Sequence, residues 1–122
     1  MKTIGFIGKT TITPQDREAL VGIGKLIQLM GHPTVMVKGK GTTEAVQTGI
    51  EAESGTPTLI DSGVIENADH TFVYADVRLV GRLRQKYPDI LNRKDVTVLQ
   101  GPDELAEWLA AVEQVYSEKQ TN

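Results

Sequence analysis

Pro33-Thr34-Val35-Met36-Val37-Lys38-Gly39-Lys40-Gly41-Thr42-Thr43-Glu44-Ala45 is a β-branched run that breaks at two glycines and passes into a helical pattern. It reads as a strand, a turn and the opening of a helix, and that reading decides the fold. The helix continues through Val46, Gly49, Ile50 and Ala52 on a narrow small-residue face and ends at Ser54-Gly55. Two glycines let the turn's backbone approach a ligand closely, and the first amides of a helix carry roughly +0.5 of a charge. Gly39, Lys40, Gly41, Thr42 and Thr43 are therefore candidates to hold an anion. The same residues also suit a purely structural turn, with Thr42 or Thr43 capping the helix, and the pattern alone leaves both readings open.

The same alternation continues on either side of this unit. Before it, Thr3 to Gly8 is an apolar run that reads as a buried parallel strand, and Lys9-Thr10-Thr11-Ile12 is a polar loop. Thr13-Pro14-Gln15-Asp16 carries the signals of a helix start, and Leu20, Ile23, Ile27 and Met30 give that helix one apolar face up to Gly31. Gly22 and Gly24 weaken it by about 1 kcal/mol each, which points to close packing on the sheet. After the central unit, Pro57 to Ile60 reads as a strand, Asp61-Ser62-Gly63 as a turn and Val64 to Asp69 as a short helical turn or a loop. His70 to Ala75 is a strand ending at Asp76. Arg78 to Tyr87 is a helix closed by Pro88, and Val96 to Leu99 is a fifth strand. Gly101-Pro102-Asp103-Glu104 opens a last helix with an apolar stripe at Leu105, Trp108, Leu109, Val112 and Tyr116, and residues 117–122 form a tail expected to fray. Strands alternating with helices in this way predict one α/β domain over residues 1–122. It is a Rossmann-like three-layer fold around a five-stranded, mainly parallel sheet.

Composition removes several classes of function. The 122 residues include no Cys and two His, so disulfides, thiolate chemistry and the usual zinc sites are excluded. No metal site and no resident cofactor are expected. No apolar run reaches the roughly 20 residues of a membrane span, and the start lacks a signal-peptide core, which points to a soluble protein of the cytoplasm. A net charge of −3 gives no general attraction for nucleic acid. The exception is Arg78 to Lys94, with six basic residues and one acid, Asp89.

In folds of this kind ligands sit outside the carboxyl ends of the strands, so the loops after the first, second and fourth strands carry the candidate residues. Gly8, Lys9, Thr10 and Thr11 can donate to an anion. Gly5-Phe6-Ile7-Gly8-Lys9-Thr10 is not a Walker A motif, because only two residues separate its glycines and no helix begins at the Lys-Thr pair. The central turn misses the dinucleotide fingerprint, because Glu44 stands at the third glycine position. Asp76, with Arg78 and Arg82 on the following helix, pairs a carboxylate for a ribose hydroxyl with guanidiniums for a phosphate.

Residues from about 3 to 76 resemble the Rossmann-like superfamily that joins the DprA family to the Lonely-Guy (LOG, lysine-decarboxylase-like) nucleotide hydrolases. The first strand ending Ile7-Gly8, the Thr/Pro-led helix and the Gly-rich turn follow the DprA order. Gly39-Lys40-Gly41-Thr42 is similar to the Gly-x-Gly-Thr core of the LOG motif, although Ala45 stands where that motif has its Glu. Small DprA-like proteins also resemble products of actinobacterial phages. The expectation is a binding protein, not an enzyme, for a nucleotide or other phosphorylated small molecule. The resemblance leaves two alternatives, a single-stranded DNA-binding module and a nucleoside monophosphate N-glycosidic hydrolase, the latter using Glu44 and Asp76 as its carboxylates. A homodimer formed through the last helix, or through Ala45, Gly49 and Ala52 of the second, is also expected.

Overall fold

The computed structural model describes residues 2–120. Nine regular elements follow along the described residues: β1 (Ile4–Gly8), α1 (Pro14–Leu29), β2 (Thr34–Val37), α2 (Thr42–Ala52), β3 (Thr58–Ile60), β4 (His70–Tyr74), α3 (Val77–Lys86), β5 (Val96–Leu99) and α4 (Pro102–Gln120). Single 3-10 turns lie at Ile65–Asn67 and Ile90–Asn92. The sheet runs β3-β2-β1-β4-β5 and every pairing in it is parallel. This is the expected Rossmann-like three-layer α/β domain, with the sheet parallel throughout. α4 is helical through Gln120, and the last two residues of the tail expected to fray lie outside the described residues.

Local signals account for the element ends. Thr13 and Asp16 form a reciprocal capping box, Thr13 Oγ1 accepting from the Asp16 amide at 3.1 Å and Asp16 Oδ2 from the Thr13 amide at 3.4 Å. At the other end of α1, Gly31 takes φ +81° and stops the helix.

Strand alternation then divides the core in two. Ile4, Phe6, Met36, Tyr74 and Leu99 face α1, α2 and α4, while Val73, Ala75 and Val96 face the 3-10 turns and α3. The first layer is the thicker one, and its helices also pack on each other. A Cβ on Gly24 would lie 2.4 Å from the Val46 carbonyl oxygen of α2, and one on Gly49 would lie 2.0 Å from that of Val21. The close packing inferred from the α1 glycines is therefore against a neighbouring helix, not the sheet. Gly22 faces Leu109 of α4.

These contacts bear on the two surfaces expected to pair in a homodimer. The small-residue seam of α2 is filled by α1 of the same chain. Of the α4 stripe, Leu105 and Val112 are buried, while Trp108, Leu109 and Tyr116 are half-buried, the Trp108 ring packing at a tilt on Phe72 with centroids 4.0 Å apart.

At the amino edge of the sheet, His70 packs against Phe72 and its Nε2 lies 2.8 Å from Thr97 Oγ1. Burial holds its pKa below the ordinary 6.5, with Asp95 opposing and Lys2 assisting. The folded protein thus resists a proton that the unfolded chain accepts. The stability this gives is present above the unfolded pKa and is lost as pH falls from about 6.5 through the lower folded value. Urea midpoints measured down to about pH 5 are expected to fall, and His70→Gln to flatten that slope. An unchanged slope in the variant rules out His70 as its source.

Candidate functional site

The strand order reverses between β1 and β4, where a doubly wound sheet opens its crevice. The loops after these two strands diverge around a cavity of about 380 Å³ lined by Gly8, Lys9, Thr10, Thr11, Asp76, Arg78, Leu79 and Arg82. Across Gly8 and Thr10 lies a second hollow of about 160 Å³, bounded also by Ile7, Val37, Lys38, Gly39, Lys40 and Thr43. Most residues predicted from the sequence therefore fall along one cleft.

Its middle is a backbone contact between two loops. Thr42 donates both its amide, at 3.1 Å, and its hydroxyl, at 2.9 Å, to the carbonyl of Lys9. A Cβ on Gly8 would fall 2.3 Å from Thr42 Oγ1, and one on Gly41 would fall 2.4 Å from the Thr10 carbonyl oxygen. Gly41 is also at φ 68°, ψ −117°, a conformation that side chains disfavour. Gly8, Gly41 and Thr42 thus join the loops, and Thr42 has no hydroxyl proton left for a ligand.

The remaining residues of the turn are available. Gly39 is exposed, with open space where a Cβ would be. Thr43 is only 7% exposed, lines the smaller hollow and has no side-chain hydrogen bond among the described residues. No side chain caps α2, which settles the capping question: the N-cap is Gly41, and neither threonine fills that role. By contrast α3 is capped by Asp76, whose Oδ1 accepts from the Leu79 amide at 2.9 Å.

The charges around the cleft are mostly positive. Lys9, Arg78 and Arg82 border the larger cavity, Lys38 and Lys40 the smaller, and the one acid lining either is the capping Asp76. Lys9 Nζ sits 4.8 Å from the centroid of the Tyr74 ring, a cation-π contact that steadies it. Beneath the loop the Tyr74 hydroxyl is buried near Asp16. Burial, and then the Asp16 carboxylate, raise its pKa above the usual phenol range, so the ring stays neutral. Glu44 is turned away. Its carboxylate meets Arg17 at 3.5 Å on the outer surface of α1 and α2 and lines neither cavity. The proposed carboxylate pair, Glu44 with Asp76, is therefore not assembled at the cleft.

Sequence reasoning missed Leu79 in the cavity wall and Tyr74 and Asp16 under the loop. The available signal was position, since Tyr74 ends β4 and Asp16 lies in the first turn of α1.

The strand order and cleft define the class: a Rossmann-like α/β fold with a cation-lined crevice at the switch point. No family model and no curated protein matches the chain. Among solved structures it is similar to the molybdenum cofactor carrier protein of Chlamydomonas reinhardtii, at 15% identity over 96% of this chain and 99% of that one, with a TM-score of 0.58. A second structure of the Chlamydomonas carrier gives 14% identity, 94% and 97% coverage and a TM-score of 0.57. The molybdenum cofactor binding protein of the phototrophic bacterium Rippkaea orientalis gives 15%, 90% and 96% coverage and 0.52.

These likenesses correct the resemblance to the DprA and LOG families, and the association with phage products falls with it. That resemblance rested on strand order and a short Gly-x-Gly-Thr phrase, features which a Rossmann-like turn supplies for reasons of backbone geometry. The functions drawn from it are corrected too. Nucleotide binding, single-stranded DNA binding and N-glycoside hydrolysis each lose their support, and for hydrolysis the outward-facing Glu44 gives a direct physical reason.

Proposed function

We propose that this chain binds and carries the molybdenum cofactor in the cleft between the loops that follow β1, β2 and β4. The observation that carries this reading is whole-length likeness: 96% of this chain corresponds to 99% of a molybdenum cofactor carrier.

The chemistry of the cleft supports it. The molybdenum cofactor is a pterin whose dithiolene sulfurs already hold the metal and whose side chain ends in a phosphate, so it is anionic. The chain has no Cys, and its described residues contain no cluster of His, Asp and Glu able to hold a bare metal ion. A carrier with this composition grips the organic part of its cargo. In this reading Lys38, Gly39, Lys40 and Thr43 receive the phosphate at the uncapped start of α2, while Lys9, Thr10, Thr11, Arg78 and Arg82 border the rest. The larger cavity, about 380 Å³, lies within the range of small-molecule sites. Asp76 keeps its structural place at the head of α3. The setting in this reading is the cytoplasm; among the described residues no helix is long and apolar enough to cross a membrane.

The test is direct. Cofactor released anaerobically from a molybdenum enzyme is mixed with the purified protein and passed through a desalting column, and molybdenum and pterin are measured in the protein fraction. Stoichiometric retention of both is expected. Elution of the protein without either removes this reading.

A further inference from the structure

Most of the outward face of α3 has no partner among the described residues; the exception is Lys86, whose Nζ lies 5.4 Å from the centroid of the Tyr87 ring. Val77, Arg78, Gly81, Arg82, Arg84 and Lys86 are all exposed, and α3 contributes no buried residue. Three features of this face oppose the helix's own stability. Arg78, Arg82 and Lys86 stand at successive intervals of four, where like charges repel. Arg78 lies in the first turn, at the positive end of the dipole, where a cation is disfavoured. Gly81 sits in the helix interior, where glycine destabilises relative to alanine, and a Cβ there would meet nothing within 4 Å. No packing within the chain calls for a glycine there. In addition, Val77 is an apolar side chain left 85% exposed.

Charge is also segregated across the molecule. Residues 78–94 hold six basic residues and one acid, while the rest of the chain holds seven basic and fifteen acidic residues. Arg78, Arg82, Arg84 and Lys86 make no ion pair among the described residues. An open hollow of about 370 Å³ lies over Arg78 and Arg82 and adjoins the larger cavity, which the same two arginines line.

We propose that this face of α3 docks an acidic partner protein, the one that receives the cargo from the adjoining cavity. The proposal rests on the carrier reading for the partner's role. Its evidence is separate: an unpaired cationic row, a glycine that leaves room for close approach, and an exposed apolar contact, all beside the cavity mouth. Complementary charge brings the partner to the face and sets its orientation. Gly81 then admits the partner's surface close to the helix backbone, with Val77 as an apolar anchor. A second copy of this chain is the poorer occupant. Asp103, Glu104, Glu107 and Glu113, exposed acids of its α4, set against this basic face would make a head-to-tail contact, which extends into open chains unless the rotation closes.

The test uses a purified cofactor-free molybdenum enzyme whose cofactor entrance is acidic. Binding to the unloaded full-length protein is measured by surface plasmon resonance, and cargo retention is measured on the desalting column. Arg84→Glu/Lys86→Glu and, separately, Gly81→Trp leave both cavities untouched. Each is expected to weaken binding to the enzyme at least tenfold and slow cofactor transfer to it with retention unchanged; the charge variant, which puts acids in the last turn of α3, is expected to melt slightly lower and Gly81→Trp no lower than the wild type. Raising salt is expected to weaken the wild type more than the charge-reversed variant. Equal binding by wild type and variants overturns the proposal, as does absence of wild-type binding. Displacement of the enzyme by an oligothymidine would assign the face to nucleic acid, and chain growth on sedimentation lost in the charge variant would assign it to a second copy; either overturns the proposal. Failure of the wild type to retain cofactor counts against the carrier reading alone, because docking is read on unloaded protein.

Discussion

Gly49→Ala is expected to destabilise the protein by about 3 kcal/mol, the upper part of the range for overpacking a tight core. The added methyl would lie 2.0 Å from the Val21 carbonyl oxygen and 2.9 Å from the Lys25 amide nitrogen, both backbone atoms of α1. Neither can turn aside as a flexible side chain would. The helices must separate, and the contacts of Ile23, Ile27, Val46 and Ile50 loosen with them. A loss of that size lowers the melting temperature by on the order of 10 °C in a domain of this length. Gly22→Ala is the control. Its methyl meets Leu109 Cδ1 at 3.4 Å, an ordinary contact, and alanine is the better helix former, so no loss is expected. Calorimetry on the two variants decides the matter, and equal melting temperatures would mean that α1 and α2 do not approach as closely as described.

Arg78→Glu/Arg82→Glu should weaken cofactor retention by about a hundredfold or more. Charge-assisted hydrogen bonds contribute about 1.5–3 kcal/mol each, so losing two spans at least a factor of one hundred before repulsion is added. The fold should not suffer. Both side chains are exposed, and an acid at position 78, in the first turn of α3, suits the helix dipole better than the arginine it replaces. Molybdenum retained per chain after desalting, compared with the melting temperature of the same sample, separates lost binding from lost structure. Full retention by a stable double variant would exclude the larger cavity as the binding place. Salt has a smaller effect of the same sign, because a cleft lined by Lys9, Lys38, Lys40 and two arginines draws an anion partly by long-range attraction.

Much of the fold was legible in local sequence. Thr13, Pro14 and Asp16 announce the start of α1, Gly31 its end, and the spacing of Leu20, Ile23 and Ile27 its buried face; a helix's caps and apolar period depend on residues a few positions apart. The parallel sheet followed in turn, since short strands joined by helices can close a core in few ways. Even the place of the cleft could be read, because Gly8 to Thr11 and Asp76 close the two strands that flank the switch point.

What each residue does there was decided by contacts far apart in the chain. Gly41 and Thr42 looked like ligand groups from their neighbours alone, yet they serve first to seat one loop on the carbonyls of Lys9 and Thr10, more than thirty positions earlier. Thr43, adjacent in sequence and equal in chemistry, keeps its hydroxyl for the hollow. Glu44 looked catalytic until Arg17 drew it to the outer surface. Gly24 and Gly49 looked like weak points in two helices until each proved to be where the other helix's backbone passes. Sequence by itself determined the elements, their order and the rim at which the cleft opens, because hydrogen-bonded caps and apolar periodicity are local. Only the tertiary structure decided which polar groups are spent on holding that rim together and which remain for a ligand, because that division depends on which backbones are packed within van der Waals reach.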